Sequence, residues 1–294
     1  MKRLQTLRAA GGMWLFVLSA PAGCSAWANA APGASPSGGA VLVELFTSQG
    51  CSSCPAADAL IADLPRLGFG RDRVVPLTFH VDYWDDLGWK DPFASPAFTT
   101  RQRRYTRAGV LLTPAGDHGI SGAYTPQMVV GGTVHFSGAR RDVAVAEIQR
   151  AAAMPAPVIL LAEATSDGDH ALVTARLLPA KTVGAAALGP AREAGQAVAT
   201  ASKDPALLTV ALAMRSARTR VTRGENGGET LNEAAIVRVL SDPVPIDSGT
   251  DTPIRVSLAK PSDLAWKDVE LAAFVQSATS LRVLAARAVT ITPR

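Results

Sequence analysis

Apolar positions along this chain fall into short, bounded runs, and their character changes once, near residue 154. Val41-Leu42-Val43-Glu44-Leu45-Phe46 has the length of a buried strand. The turn Thr47-Ser48-Gln49-Gly50 follows, then Cys51-Ser52-Ser53-Cys54-Pro55, and Ala56 to Leu67 is helix-like. Arg73 to Val81 is a second buried strand, so strand, helix and strand form a βαβ unit whose crossover implies a parallel pair. Ser95-Pro96 marks a helix start with Pro96 near N1, and Ala97 to Ala108 continues as a polar helix. Tyr124-Thr125-Pro126-Gln127-Met128-Val129-Val130 leads into a strand, Gly131-Gly132 turns it back, and Thr133 to Phe136 returns. Arg141 to Met154 is amphipathic, with Val143 and Ile148 on its inner face.

Past Met154-Pro155-Ala156-Pro157 the helical spacing disappears. Val158–Ala164, Ala171–Leu178, Leu207–Met214, Ile236–Leu240, Ile254–Leu258, Val269–Gln276 and Leu281–Val289 are apolar or alternating runs separated by turn residues. That is the pattern of an antiparallel β-sandwich. Ala180 to Ser202 is rich in Ala and Gly and reads as an excursion between strands. The expected organisation is therefore an α/β domain over 40–154 and an all-β, sandwich-like domain over 155–294.

The first forty residues stand apart. Lys2, Arg3 and Arg8 precede the apolar stretch Ala9 to Ala22, and Ala28-Asn29-Ala30 is a small-x-small cleavage site, so 1–30 reads as a signal peptide. The stretch is too short and too broken by Gly11-Gly12 and Pro21 to span a bilayer, and no later segment is a better candidate. Residues 31–39 read as a flexible tether. Cleavage after Ala30 implies a periplasmic or secreted protein. It removes Cys24, whose flanking Pro21-Ala22-Gly23 lacks the aliphatic residue usual at lipidated cysteines. It also removes three positive charges and no negative ones, so the formal net charge of +4 falls to +1. The basic isoelectric point is then no argument for a nucleic-acid partner, and none is expected.

With Cys24 gone, Cys51 and Cys54 are the remaining cysteines. Two cysteines three apart, where a buried strand hands over to a helix, have the layout of a redox-active dithiol. The helix N-terminus offers unpaired N–H groups and the positive end of the macrodipole, which favour a thiolate at Cys51. Competing readings are a structural disulfide, half of a metal site, or two unconnected buried thiols. A zinc site needs four ligands and no second cysteine pair exists. A bridge closing so short a loop removes little entropy from the unfolded chain.

The aromatic segment Asp82-Tyr83-Trp84-Asp85-Asp86-Leu87-Gly88-Trp89-Lys90-Asp91-Pro92-Phe93 follows the second strand. Segments beyond the strand ends of an open α/β sheet face the ligand crevice, so Tyr83 and Trp84 are candidate substrate contacts, and His80 or Asp82 could tune the thiols. A metal at Asp82, Asp85, Asp86 and His80 is the weaker alternative to solvated, helix-capping acids. Arg101, Arg103, Arg104 and Arg107 read as a solvated helix paired with those acids. His118 and His135 receive no role.

The order of elements, the C-x-x-C helix and the X-Pro-strand resemble the thioredoxin fold. The stretches VELFTSQGCSSCP, HVDYWDDLGWKDPF and YTPQMVVGG, with GENGGETL later, resemble a narrower group of exported bacterial proteins carrying a thioredoxin-like domain of undetermined function. This group would continue with Asn-Val-Val-Arg where Ala235-Ile236-Val237-Arg238 stands. The resemblance implies a cis bond at Thr125-Pro126 beside the dithiol, presenting backbone to a substrate. It also implies a proton-accepting carboxylate near the second cysteine, for which Glu44 is the candidate. The implied activity is exported thiol–disulfide exchange on protein or small-molecule disulfides: Cys51 attacks, Cys54 resolves, no cofactor or metal is needed, and the partner is a protein thiol or disulfide. A different class is a non-catalytic binding protein or metallochaperone gripping Cu(I) with the same cysteines. The second half reads as a binding or docking module, with Glu225 and Asn226 as turn formers.

Overall fold

A computed structural model describes residues 39–114, 122–180, 204–250 and 252–294. The expected signal peptide, Cys24, His118 and all but Ala180 of the Ala180–Ser202 excursion lie outside the described residues, as does all of the tether but Gly39. The first half follows the pattern closely. β1 (Val41–Thr47) leads to α1 (Pro55–Asp63), which tightens into a 3-10 turn at Leu64–Leu67 before β2 (Val74–His80). α2 (Pro96–Ala108), β3 (Gln127–Val130), β4 (Val134–Ser137) and α3 (Arg141–Ala152) complete it. Ser95 caps α2, its hydroxyl accepting from the N–H of Ala97 at 3.3 Å.

β1 and β2 are parallel with Phe46 opposite Phe79, β3 runs antiparallel to β1, and β4 antiparallel to β3. Alternation along β1 and β2 sorts their side chains onto two faces. Val43, Leu45 and Val74 pack with Leu60 and Ile61 of α1 and Ile148 of α3. Leu42, Phe46, Val75, Leu77 and Phe79 pack with Phe98 and Tyr105 of α2. Glu44, between Leu42 and Phe46, lies on the α2 side.

The second half consists of strands, as its turn-punctuated runs imply. These are β5 (Val158–Asp167), β6 (His170–Pro179), β7 (Ala206–Arg220), β8 (Thr230–Leu240), β9 (Val244–Pro245), β10 (Ile254–Ala259), β11 (Val269–Ser277), β12 (Val283–Val289) and β13 (Ile291–Pro293). Four of them form one sheet in the order β10-β6-β5-β13. It packs through Leu160, Val173 and Leu177 against Val210, Leu212, Leu271 and Val275 of the other sheet. That other sheet is shared with the first half. Its order among the described residues is β12-β11-β7-β8-β2-β1-β3-β4, with β9 also on β7. The joint is Thr78 opposite Ile236, where β2 and β8 run parallel, and the Thr78 hydroxyl donates to the carbonyl of Ala234 at 2.8 Å. The mixed sheet thus continues across the expected boundary at 154/155.

The joint lies beside one unusual backbone position. Ala235 has φ 54, a left-handed conformation that costs an L-residue with a Cβ roughly 1–2 kcal/mol. It stands at the position where the motif would have Asn, which tolerates that conformation better. No described helix is long and apolar enough to cross a membrane.

Candidate functional site

Cys51 and Cys54 are joined by a disulfide with Cα atoms 5.5 Å apart. Cys54 is the N-cap of α1, Pro55 opens the helix, and the Cys54 carbonyl accepts from the N–H groups of Ala57 and Asp58. Both cysteines are fully buried, whereas Ser52 and Ser53 between them are exposed. The Ser53 hydroxyl lies 3.3 Å from Cys51 Sγ, within reach to donate to it.

The Thr125-Pro126 bond is cis. Pro126 sits next to the dithiol helix: a Cβ built on Gly138 would stand 3.0 Å from Ala57 Cβ and 3.6 Å from Pro126 Cβ. Trp84 bridges the two loops. Its indole N–H donates to Thr125 Oγ1 at 2.9 Å, and its own Cβ would be 3.2 Å from a Cβ on Gly50. Tyr83 is on the same wall, its hydroxyl donating to Gln102 Oε1 at 3.3 Å and close to Thr125, while burial raises its pKa. Cys51, Cys54, Thr125, Pro126, Tyr83 and Trp84 therefore gather at one end of the sheet.

Glu44 does not join them. It lies on the face opposite α1, where Arg101 Nε donates to it at 2.6 Å and the Tyr105 hydroxyl donates to its other oxygen. Gln276 closes this network, accepting from Arg101 and donating to Tyr105. The expected role of Glu44 beside Cys54 is corrected by this placement: strand alternation sends it to the α2 side. Arg101 is corrected with it. Instead of being solvated, its guanidinium lies over the rings of Phe79, Tyr105 and Phe274.

The carboxylate on the dithiol side is Asp58. It follows Cys54 by one turn of α1, is buried, and accepts from Thr47 Oγ1 at 3.2 Å. Helical side chains tilt toward the N-terminus, so its carboxyl leans to the Cys54 end of the helix. Beside it lie His80, Asp91 and Glu233. His80 Nδ1 is 2.7 Å from Asp91 Oδ2, and its Nε2 is 3.7 Å from Glu233 Oε1. Asp58 Oδ1 has no hydrogen-bond partner among the described residues.

Burial, helped by the Glu233 carboxylate and only partly opposed by His80, pushes Asp58 up to about 7. Burial alone would lower His80, but Asp91, Glu233 and Asp58 outweigh it and hold the imidazole at about 9. Burial and the Asp91 charge raise Glu233. Burial also works against ionised Asp91, yet His80 and the N–H groups of Gln49 and Phe93 keep its pKa below the usual carboxylate range. The result is a buried imidazolium among carboxyls, tied to the turn before Cys51 through Thr47 and Gln49.

The second half closes the site from above. Asn226 Nδ2 donates to the carbonyls of Gln49 and Cys51 at 2.9 and 3.0 Å, and Glu225 Oε2 accepts from the N–H of Ser52 at 2.9 Å. Gln49 links both layers: it donates to Glu233 at 2.7 Å and accepts from Trp89 Nε1 at 3.1 Å. Gly224 fits flat on Trp89, where an added Cβ would be 3.2 Å from the tryptophan Cβ. Reading Glu225 and Asn226 as turn formers captures only part of their role.

The other aromatic-segment acids point elsewhere. Asp82 pairs with Thr99, and Asp85 accepts from the N–H of Asp91 at 3.1 Å. Among the described residues no group of three or more His, Cys, Asp or Glu is arranged to hold a metal ion. Helical spacing from Cys54 was the available signal for Asp58. The GENGGETL motif marks Asn226 but nothing local ties it, or Glu233, to the cysteines; they reach the site from 175 residues beyond Cys51 and 184 beyond Gln49.

Comparison with known proteins agrees with this architecture. No curated protein matches the chain. The crystal structure of a structural-genomics protein of Agrobacterium tumefaciens is similar, with 26% identity, a TM-score of 0.55, and coverage of 84% of this chain and 92% of that one. HBP35 of Porphyromonas gingivalis shares the fold at 17% identity and a TM-score of 0.55, over 86% of this chain and 75% of that one. A family model described as "Protein of unknown function (DUF1223)" matches residues 42–276, and the chain belongs to that family.

Proposed function

We propose that the protein is an exported thiol–disulfide oxidoreductase built on a thioredoxin-like frame. The observation that carries this reading is the Cys51–Cys54 disulfide at the N-terminus of α1, with the Trp84–Thr125 wall beside it and the buried Asp58 carboxyl one helical turn after Cys54. In the reducing direction, the Cys51 thiolate attacks one sulfur of a substrate disulfide, forming a mixed disulfide and expelling a substrate thiolate. Cys54 then attacks Cys51 Sγ, expels the second substrate thiolate and closes the Cys51–Cys54 bond. Two electrons pass from the protein dithiol to the substrate, and two protons leave the cysteines for the substrate thiols. The helix N-terminus and the Ser53 hydroxyl favour the thiolate at Cys51. Asp58, near 7, is matched to accept the Cys54 proton as that sulfur attacks. Export follows from the leader-like start and suits a protein meant to carry a disulfide.

The test is turnover of a protein disulfide, with dithiothreitol recharging the dithiol and Cys51→Ser as control. Turnover lost in the variant is expected. Turnover no faster than dithiothreitol alone, in a protein whose dithiol is fully recharged, would overturn the reading.

A further inference from the structure

The Gly224–Gly228 turn is the feature of the second half that the exchange chemistry leaves unused. It lies against the dithiol loop by three hydrogen bonds, two from Asn226 and one to Glu225. Asn226 is buried and donates to carbonyls on both sides of Gly50, which anchors the turn. Glu225 is exposed, and its carboxylate occupies the N–H of Ser52, the residue bonded to Cys51. That contact also holds the Glu225 carboxyl below its usual range, so it is ionised at neutral pH.

We infer that Glu225 is a positioning residue that biases the Cys51–Cys54 pair toward its disulfide form, with Asn226 holding it in place. The reasoning is electrostatic and rests on the exchange reading above. The disulfide is neutral, whereas the dithiol form carries negative charge on Cys51 whenever its thiol is ionised. A carboxylate one residue away repels that charge. It also takes up an N–H at the loop that precedes α1, where such donors stabilise a thiolate. A weaker thiolate means a less stable reduced form, and the pair becomes a better reductant and a poorer oxidant. The uncharged Ser52-Ser53 dipeptide does nothing to counter this. Chain that lies 175 residues away in sequence thereby sets the direction in which the dithiol works.

The experiment equilibrates the purified protein with dithiothreitol redox buffers. The reagent loses two electrons and two protons on closing its ring, and the Cys51–Cys54 disulfide gains them as two thiols. Glu225→Gln keeps an acceptor for the Ser52 N–H and removes the charge; Glu225→Ala removes both. Either should shift the equilibrium constant about tenfold toward the dithiol, which is about 30 mV for a two-electron couple. The Cys51 thiol pKa, read from thiolate absorbance, should fall in the same variants. Because the carboxylate is exposed, the difference from the unsubstituted protein should shrink in 1 M salt, where the Debye length is about 3 Å. A purely structural role would not follow salt in this way. Equal constants for the unsubstituted protein and Glu225→Gln would overturn the inference and leave the exchange reading intact. The tenfold shift in a protein that fails to turn over protein disulfides would support the inference while removing that reading. A disulfide that never equilibrates with dithiothreitol would overturn both.

Discussion

The Asn226 side-chain amide donates to the backbone carbonyl of Cys51 across 3.0 Å, so the dithiol loop is finished by a residue from the other half of the chain. The same amide serves Gln49, and both contacts are buried. Asn226→Ala leaves two carbonyls without their donor, and each buried unsatisfied group costs roughly 1–3 kcal/mol. Urea denaturation of the oxidised protein should show a loss of about 2 kcal/mol or more, with the disulfide still formed. A loss under half of that would mean that water replaces the amide without cost.

The thiols should divide their work. Cys51→Ser should abolish exchange, and Cys54→Ser should accumulate mixed disulfides on Cys51, detected as thiol-sensitive adducts by mass spectrometry. Both sulfurs are buried in the disulfide form, so the difference must arise after reduction. Ser53→Ala removes the hydroxyl 3.3 Å from Cys51 Sγ and should raise the Cys51 pKa. Adducts on Cys54 in preference to Cys51 would reverse the assignment.

Within the buried cluster Asp58 and His80 make stability fall as pH rises, whereas Asp91, held below its usual range, works the other way at acid pH. Asp58 titrates near 3.8 when unfolded and about 7 when folded, so the native state binds the extra proton between those values. Its contribution is complete below 3.8 and is lost as pH climbs through 7. His80 acts in the same sense at higher pH, since its folded value of about 9 exceeds 6.5, and its contribution goes as pH passes 9. One extra bound proton corresponds to a slope of about 1.4 kcal/mol per pH unit at most. Asp58→Asn should make the stability profile shallower between pH 4 and 7, where the raised Glu233 keeps part of the slope, and leave the decline above pH 7 in place. An unchanged profile would show that Asp58 ionises normally.

A chain cut after residue 154 should not keep a working site. β2 would lose its neighbour β8 and become an open edge, and the cysteine loop would lose Asn226, Glu225 and Glu233. Expressed alone, residues 40–154 should aggregate or show weak near-UV circular dichroism, and adding residues 155–294 in trans should restore the signal. A soluble, redox-competent 40–154 fragment would refute this.

What could be read from the chain follows from how local each feature is. The strand before Cys51, the helix after it and the turn at Gly131-Gly132 rest on neighbouring residues, and all formed where expected. Alternation along Val41-Leu42-Val43-Glu44-Leu45-Phe46 also showed that Glu44 shares a face with Leu42 and Phe46. It does not show which face α1 takes, and only the family likeness puts Glu44 beside Cys54. The joint between Thr78 and Ile236 spans more than 150 residues and is a single register point at a left-handed Ala235. The run of strands after residue 157 revealed sheets, but not that one of them would be completed by β2.

Glu44 and Asp58 give the sharpest contrast, because family likeness points to the first and the α1 geometry to the second for the same proton. Glu44 is fully buried and its partners are Arg101 and Tyr105, on the side of the sheet away from α1. Glu44→Gln leaves the Arg101 guanidinium buried among Phe79, Tyr105 and Phe274 without its carboxylate. Breaking one partner of a buried pair costs about 3–5 kcal/mol. The melting temperature should therefore fall sharply in Glu44→Gln, while the Cys54 pKa and the pH dependence of exchange stay as they were. Asp58→Asn should do the reverse, holding or gaining stability above pH 7 and slowing the resolving step most at neutral pH, where its carboxylate would have taken the proton. Measuring both variants by single-turnover exchange across pH 5 to 9, alongside thermal melts, separates the two carboxyls. If Glu44→Gln moved the exchange profile and Asp58→Asn did not, the proton would travel through the far face of the sheet and the assignment made from the α1 geometry would fall.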